Sequence, residues 1–147
     1  MTRTVVVAGV GPGLGESLVR RFADEGCQVG LFARSTAYLE ELAADLPGPG
    51  EGLAVTVDLA DVDAVRAGFE AVREAFGPVD ALVNHASAPS WSGLMDTSVE
   101  AFERSWAVNG RGAFVCSQEA VGDMLETGGG TVLFTGATSA VRSLGGA

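Results

Sequence analysis

The sequence predicts an α/β fold in which helices cover both faces of a doubly wound parallel sheet. Apolar runs of strand length alternate with segments of helical periodicity, a pattern typical of repeated βαβ units. The first run, residues 5–8, is continuously apolar, as expected for a strand buried on both faces. With 147 residues, 47% of them hydrophobic, the chain is long enough for one core, and we expect a single, partial domain over residues 1–147.

Each element follows from its own local pattern. Leu14, Leu18 and Phe22 recur at helical spacing, and Gly26 stands where this first helix should end. The prolines and glycines at 47–50 end the second helix, because proline cannot continue a helix. The predicted strands are residues 4–8, 28–33, 53–57, 79–83 and 131–135. The later predicted helices are residues 36–46, residues 62–76 after an Asp61 N-cap, and residues 99–126 with a bend near Gly110 and Gly112. Residues 136–147 are predicted to form a loop.

The charge composition restricts the partners. Nineteen acidic residues outnumber nine basic ones, all of which are arginine, and the formal net charge is −10. A phosphate backbone or an anionic membrane would meet a repulsive field, so we expect no nucleic-acid partner and no membrane partner. The absence of lysine fits a halophilic protein and a GC-rich genome equally well.

The sequence carries no export or membrane signal. No apolar run reaches 18 residues, and no basic segment is followed by an apolar stretch and a cleavage site, so we expect a soluble, cytoplasmic protein. Cys27, in a predicted strand, and Cys116, in a predicted helix, have no second cysteine or histidine at metal-ligand spacing. We interpret both as small core residues and predict no metal site.

A glycine-rich turn follows the first predicted strand and reads Gly9-Val10-Gly11-Pro12-Gly13-Leu14-Gly15. The G-x-G-x-x-G fingerprint does not fit, because it would need glycine where Leu14 or Glu16 stands, and no Lys-Ser or Lys-Thr pair follows to make a Walker loop. The spacing Gly9-x-x-x-Gly13-x-Gly15 fits a longer turn, whose N–H groups and helix N-terminus approach a pyrophosphate with no Cβ in the way. The alternative is a tight turn that binds nothing.

With this turn and three later segments, the chain resembles the short-chain dehydrogenase/reductase family over its full length. The turn matches the family's T-G-x-x-x-G-x-G pattern, with Ala8 in place of threonine. Asp58 stands where family members contact adenine, residues 84–87 are similar to their N-N-A-G motif, and residues 108–114 to their fourth-helix segment. The resemblance implies a Rossmann-type sheet of order 3-2-1-4-5 that is incomplete here, with the fifth strand at an open edge. The cofactor-binding residues that it implies are Gly9, Gly13, Leu14, Gly15, Arg34, Ser35, Asp58, Leu59, Asn84 and Ala86.

The residues after the second strand indicate which cofactor to expect. In dinucleotide-binding folds this place carries the group that contacts the adenosine ribose, and an Asp or Glu there bonds the 2′-hydroxyl of NAD. This chain instead has Arg34 followed by Ser35. A guanidinium is a planar, permanently charged donor suited to a phosphate, so we expect NADP rather than NAD. The alternative for Arg34 is an ordinary surface charge.

The catalytic residues that the resemblance implies are only partly present. Family members use a tyrosine as the proton donor, and a lysine four residues later raises the acidity of that tyrosine. A serine after the fifth strand orients the carbonyl. This chain has no lysine, and its one tyrosine is Tyr38. An ungapped reading places Ala137 at the serine position, and Thr138 or Ser139 would serve after a small shift in the loop. The catalytic residues that the resemblance implies here are therefore Asn109, from the fourth-helix segment, and Ser139. The alternative for Ser139 is an ordinary loop hydroxyl.

We therefore expect an NADP-dependent short-chain oxidoreductase that transfers hydride between the nicotinamide and a carbonyl or alcohol substrate. This chain would be the cofactor-binding portion of such an enzyme and would be inactive alone. It would come from a truncated gene, be a fragment, or represent part of a longer protein. The alternatives are a dinucleotide-binding module without chemistry and a decayed gene product. The helix from residue 99 resembles the one that family members use in dimers and tetramers, which implies a homo-oligomer.

Overall fold

A five-stranded parallel sheet between two layers of helices forms the fold. The computed structural model describes residues 2–89 and 91–142. Its strands are β1 (Thr4–Ala8), β2 (Gln28–Ala33), β3 (Gly52–Thr56), β4 (Ala81–Asn84) and β5 (Thr131–Phe134). Its α-helices are α1 (Leu14–Asp24), α2 (Thr36–Ala44), α3 (Val62–Phe76), α4 (Val99–Trp106) and α5 (Ala113–Thr127). The strands are all parallel in the order β3-β2-β1-β4-β5, so the predicted fold class and strand order are confirmed.

The central strands divide the core into two layers. Val5 and Val7 of β1 pack on one face of the sheet with buried residues of α1 and α2. Val6 and the β2 residue Phe32 pack on the other face with α3 and α5, and the ring of Phe32 meets that of Phe69 edge to face at 5.2 Å between centroids. Successive strand residues point to opposite faces. Because both faces of β1 are covered, its apolar run is continuous.

A cluster of charged side chains joins α3 to α5. Arg73 Nε donates to Asp123 Oδ1 at 2.8 Å, and Arg73 Nη2 donates to Glu119 Oε2 at 3.0 Å. Asp123 is buried, and its Oδ2 also accepts the N–H of Val79 at 2.9 Å. Burial lowers the pKa of Arg73, but its hydrogen bonds to Glu119 and Asp123 outweigh burial and raise that pKa. The cluster fixes α5 against α3 and against the segment that leads into β4.

Several element boundaries differ from those that the sequence predicts. β4 begins at Ala81 rather than at residue 79, because the N–H of Val79 bonds the Asp123 carboxylate and is not available to a strand. α2 ends at Ala44, two residues early. β3 is shifted by one residue, to Gly52–Thr56, and β5 ends one residue early, at Phe134. A 3-10 turn, Thr138–Ala140, lies inside the predicted final loop, of which residues 143–147 lie outside the described residues.

The two cysteines take different positions. Cys27 lies one residue before β2, not inside it, and is half-buried, so its expected strand placement is wrong by one residue. Cys116 is buried in α5, and this burial raises the pKa of its thiol to about 12. Within residues 2–89 and 91–142, no helix combines the length and the apolar character needed to cross a bilayer.

The predicted long helix contains a change of helix type at the expected bend. α4 and α5 are joined by a π-helical segment, Ala107–Gly112. A Cβ at Gly112 would lie 2.5 Å from the carbonyl oxygen of Leu59, so glycine allows the helix to approach the loop after β3. Short π-helical segments occur frequently at functional sites.

β5 lies at one edge of the described sheet and pairs only with β4 there. Its burial contrasts with that of β1, since Leu133 is 50% exposed and Phe134 is 64% exposed. Two further apolar side chains, Phe102 and Trp106 of α4, are also mostly exposed. The predicted open edge at the fifth strand therefore matches the described part of the sheet.

Candidate functional site

An open cleft of about 720 Å³ lies at the carboxyl edge of the sheet. The loops after β1, β2, β3 and β4 form it, and the strand order reverses between β1 and β4. Ligands of parallel α/β sheets bind at such a point, and the volume is typical of a small-molecule site. The predicted cofactor residues that line this cleft are Gly9, Leu14, Gly15, Arg34, Ser35, Asp58, Leu59 and Ala86.

The glycine turn forms one wall of the cleft. Gly9 has φ +108°, and an added Cβ would lie 2.4 Å from the backbone of Ala86. A Cβ at Gly15 would lie 2.9 Å from the Gly9 carbonyl oxygen. Gly13 begins α1 without lining the cleft, and no side chain caps that helix end by a hydrogen bond. The Glu16 N–H donates to the Gly11 carbonyl oxygen at 3.0 Å, but no capping side chain occupies the N–H groups of this helix start. Unoccupied N–H groups at a helix N-terminus bind anions.

Two guanidinium groups line the cleft although the chain carries a net charge of −10. Arg34 and Ser35 form the corner after β2, where the sequence predicts contact with the adenosine ribose. Within the described ranges, Arg34 forms no ion pair with any carboxylate. Arg104, from α4, is the second guanidinium. The corner after β2 therefore offers a cation with no internal counter-ion in these ranges.

Asp58 is fixed in the loop after β3. Its Oδ1 accepts the N–H of Ala60 at 3.0 Å, and Arg104 Nη2 lies 3.1 Å from Oδ2 and 3.3 Å from Oδ1. The Ala60 N–H is the largest cause of a lowered Asp58 pKa, and Arg104 and the nearby charge of Arg34 lower it further. Asp58 is therefore an ionised acceptor at neutral pH, where the sequence predicts an adenine contact.

A second cavity of about 300 Å³ shares residues with the cleft. Asn84 and Ala137 line this cavity and not the larger cleft. Asn84 is buried, and its Nδ2 donates to Ser117 Oγ at 3.2 Å. Leu59 and Ala86, two other predicted cofactor residues, line both cavities, so Asn84 lies beside them at the edge of the larger cleft.

The predicted catalytic residue Asn109 also lines the second cavity. Its Oδ1 accepts the N–H of Ala88 at 2.9 Å, while Nδ2 donates to the Ala88 carbonyl and to Ser105 Oγ, both at 3.1 Å. The side chain thereby fixes the loop after β4 to the π-helical segment. A catalytic role for Asn109 stays a prediction.

The predicted catalytic residue Ser139 lies in the 3-10 turn Thr138–Ala140, is exposed, and lines neither cavity. Ala137 stands in the second cavity instead, as the ungapped reading of the sequence implies. A hydroxyl does reach this region, because Thr135 Oγ1 is hydrogen-bonded to His85 Nδ1 at 3.0 Å. The role of Ser139 remains a prediction.

Tyr38, His85 and Arg104 are among the side chains that line the cleft but are not among the cofactor residues predicted from the sequence. The Tyr38 hydroxyl donates to Glu16 Oε2 at 2.9 Å, and burial together with this bond raises the pKa of Tyr38 to about 12. Tyr38 lies in the first turn of α2, directly after the corner that carries Arg34, and this closeness in sequence could have indicated a place near the cleft. Arg104 has no such local signal, since its partner Asp58 is 46 residues away in the chain.

Comparisons with known proteins identify the family. A family model described as short chain dehydrogenase matches residues 3–146. The chain belongs to the short-chain dehydrogenase family. It is 34% identical over 144 residues to meso-2,3-butanediol dehydrogenase of Serratia marcescens, covering 98% of this chain and 55% of that protein. It is 35% identical over 123 residues to carbonyl reductase [NADPH] 2 of Sus scrofa, covering 84% of this chain and 48% of that protein.

Solved structures of this family share the fold. L-sorbose reductase from Gluconobacter frateurii, complexed with NADPH and L-sorbose, superposes with a TM-score of 0.92 at 31% identity. That match covers 97% of this chain and 55% of the reductase chain. The chain therefore spans about half the length of the short-chain dehydrogenases that it matches. The predicted family is confirmed.

Proposed function

We propose that this chain is the NADP(H)-binding portion of a short-chain oxidoreductase whose whole protein transfers hydride between the nicotinamide and a carbonyl or alcohol. The observation that carries the proposal is one cleft lined both by the glycine turn and by Arg34. The glycine turn leaves N–H groups for a pyrophosphate, and the guanidinium suits the additional 2′-phosphate. Two relatives support NADP over NAD: the Sus scrofa protein is named as an NADPH carbonyl reductase, and the Gluconobacter reductase structure contains NADPH.

The residues of the cleft fit this cofactor. A Cβ at Gly9 or Gly15 would collide with backbone atoms, so this wall of the cleft requires glycine at both positions. Asp58 supplies an ionised acceptor for adenine, and Leu59 and Ala86 supply apolar wall beside it. Bound NADPH would supply the hydride; the residues of this chain bind and orient the nucleotide.

We further propose that this chain alone does not catalyse turnover. Proton donation to a carbonyl needs an acid beside the hydride acceptor. The Tyr38 hydroxyl already donates a hydrogen bond to Glu16, and burial together with this bond raises the pKa of Tyr38 to about 12, far above neutral pH. The sequence has no lysine that could lower the pKa of a tyrosine. NADPH with assorted ketones should show no oxidation above background, and measurable reduction would contradict this part of the proposal.

The same observations favour a second candidate, a dinucleotide-binding module with no chemistry of its own. Both candidates predict nucleotide binding, so binding does not distinguish them. The DNA downstream of codon 147 does. A continuing frame that encodes Tyr-x-x-x-Lys supports the oxidoreductase, whereas a stop codon supports the module or a decayed gene.

Calorimetric titration with NADPH and NADH tests the cofactor proposal. Loss of a charge-assisted contact in Arg34→Ala should weaken NADPH binding by about 10- to 100-fold, and NADH binding should hardly change. Arg66→Ala is the matched control, because Arg66 is also a half-exposed arginine, paired with Asp63 and Glu119 outside the cleft. If NADH binds as tightly as NADPH to the unmodified chain, the choice of NADP is wrong.

We also propose a cytoplasmic location and a homo-oligomer, with a carbonyl or alcohol as the small-molecule partner of the whole protein. The exposed apolar side chains Phe102 and Trp106 on α4 support self-association, since exposed apolar patches mark interaction sites. Light scattering coupled to size-exclusion chromatography should give a mass above 14.9 kDa. A monomer at micromolar concentration would contradict self-association through this helix.

A further inference from the structure

Three contacts fasten the loop after β3 to the long helix. Arg104 of α4 holds the Asp58 carboxylate, with its Nη2 3.1 Å from Oδ2. Arg111 of the π-helical segment donates from Nη2 to the carbonyl oxygen of Ala60 at 2.7 Å. Between them, the backbone of Gly112 approaches the Leu59 carbonyl so closely that no Cβ would fit. The wall of the cleft at residues 58–60 is therefore positioned from a helix that is distant in sequence.

The Arg104–Asp58 ion pair contributes little to the stability of the fold. The two side chains are 48% and 40% exposed. Ion pairs at such exposure contribute only about 0–1 kcal/mol, because water and salt screen them. Both residues line the cleft, however, so the pair determines which way a charged acceptor faces inside it.

The contacts of the carboxylate leave it able to accept one more hydrogen bond. A carboxylate offers about four lone-pair positions. Oδ1 accepts the Ala60 N–H and one contact from Arg104, whereas Oδ2 has only the Arg104 contact. Without Arg104, Oδ1 would keep its bond to Ala60, and the Asp58 side chain would lose the contact that fixes Oδ2.

We propose that Arg104 is a positioning residue for purine selectivity: it fixes Asp58 Oδ2 as an acceptor for the exocyclic amino group of adenine. The inference rests on the proposed function, because it concerns the nucleotide of that same cleft. An ionised acceptor attracts a 6-amino group and repels the 6-carbonyl oxygen of hypoxanthine. The chain therefore discriminates NADPH from its hypoxanthine analogue, deamino-NADPH, through Asp58, and this discrimination depends on Arg104.

Calorimetric titration of the full 147-residue chain with NADPH and deamino-NADPH tests the proposal. The unmodified chain should prefer NADPH by about tenfold, the worth of one hydrogen bond to a charged group. In Arg104→Ala this preference should fall to about twofold or less, and Arg104→Lys should restore part of it. Asp58→Asn should abolish the preference, since an amide can donate to the carbonyl oxygen as readily as accept from the amino group.

Two controls separate positioning from general effects. Arg66→Ala removes the same charge outside the cleft and should keep the tenfold preference. Arg111→Gln loosens the loop without contacting Asp58, and should weaken both nucleotides equally. Circular dichroism on each variant shows that the chain remains folded.

The possible results are distinguishable. If Arg104→Ala weakens both nucleotides by the same factor, Arg104 contacts a phosphate or supports the fold, and the inference is overturned. It is also overturned if the unmodified chain binds NADPH but shows no preference between the two purines. If neither nucleotide binds to the folded chain, the proposed function itself fails and this inference fails with it.

Discussion

The loop after β1 and the loop after β5 both lie at the carboxyl edge of the sheet, but their surroundings differ. At the first loop, a Cβ on Gly9 would lie 2.4 Å from backbone, and the adjoining strand is buried throughout. At the second loop, Gly136 has no atom within 4 Å of an added Cβ, and most of residues 131–142 are exposed. The wall of the cleft formed by the glycine turn is therefore packed within the described residues, while the wall beside β5 is open.

The largest effect should come from Gly9→Ala. The new Cβ meets the backbone of Ala86, and φ +108° is strained for alanine, so we expect a loss of about 3 kcal/mol or more in the free energy of unfolding. NADPH binding should be lost as well. Urea unfolding and calorimetry measure both quantities. The matched control Gly136→Ala should change the free energy by less than about 0.5 kcal/mol, and equal losses for the two variants would contradict the comparison.

A second large effect concerns the charged cluster beneath β4. Asp123→Asn leaves Arg73 with only Glu119, and it weakens the acceptor for the Val79 N–H, so unfolding should become easier by about 3 kcal/mol. The cleft lies elsewhere, so NADPH affinity of the folded protein should change little. Urea titration measures the loss. The control Asp63→Asn removes a highly exposed carboxylate 3.9 Å from Arg66, and a comparable loss there would show that burial is not the cause.

A smaller effect should appear in the pH dependence of stability. The pKa of Asp58 is lowered in the folded chain from its usual 3.8, chiefly by the Ala60 N–H and then by Arg104. A lowered folded pKa stabilises the fold above the unfolded value, and this contribution disappears as pH falls through the folded value. The stability difference between the unmodified chain and Asp58→Asn, measured by urea unfolding, should be constant from pH 7 to about 5 and shrink below about pH 4. An unchanged difference at pH 3 would contradict this.

The smallest effect should come from Phe134→Ser in β5. Its ring is 64% exposed, so the free energy of unfolding should change by less than about 0.5 kcal/mol. Phe32→Ala in β2 is the informative counterpart, because that ring is fully buried and its removal should cost about 3–5 kcal/mol. Thermal or urea unfolding measures both. Similar losses in the two strands would mean that the β5 face is covered in solution.

The sequence was sufficient for the sheet because its signals are local. Continuous apolar strands, helical periodicity and glycine stops repeat along the chain and predict a parallel sheet, while the strand order came from the resemblance to the family. The predicted strand boundaries were less accurate where a backbone N–H forms a hydrogen bond with a side chain that is distant in sequence. Val79 is the example, since its bond to Asp123 depends on a contact 44 residues away.

The cleft was predicted in part for the same reason. Gly9 and Arg34 directly follow predicted strands, and Gly15 belongs to the same glycine turn as Gly9, so all three could be placed at the carboxyl edge from the sequence. Asn84 also ends a predicted strand, but its bond to Ser117, 33 residues later on a predicted helix, depends on how that helix packs against the sheet. Arg104 could not be found, because only the folded chain brings α4 against Asp58.

The fastening of residues 58–60 to the long helix has a mechanical consequence. Phe102 and Trp106 lie on the outside of α4, while Arg104 on the same helix reaches the cleft. Two guanidinium bonds and one close backbone approach connect that helix to the wall of the cleft at residues 58–60. A partner that shifts the outer surface of α4 should therefore also shift this wall.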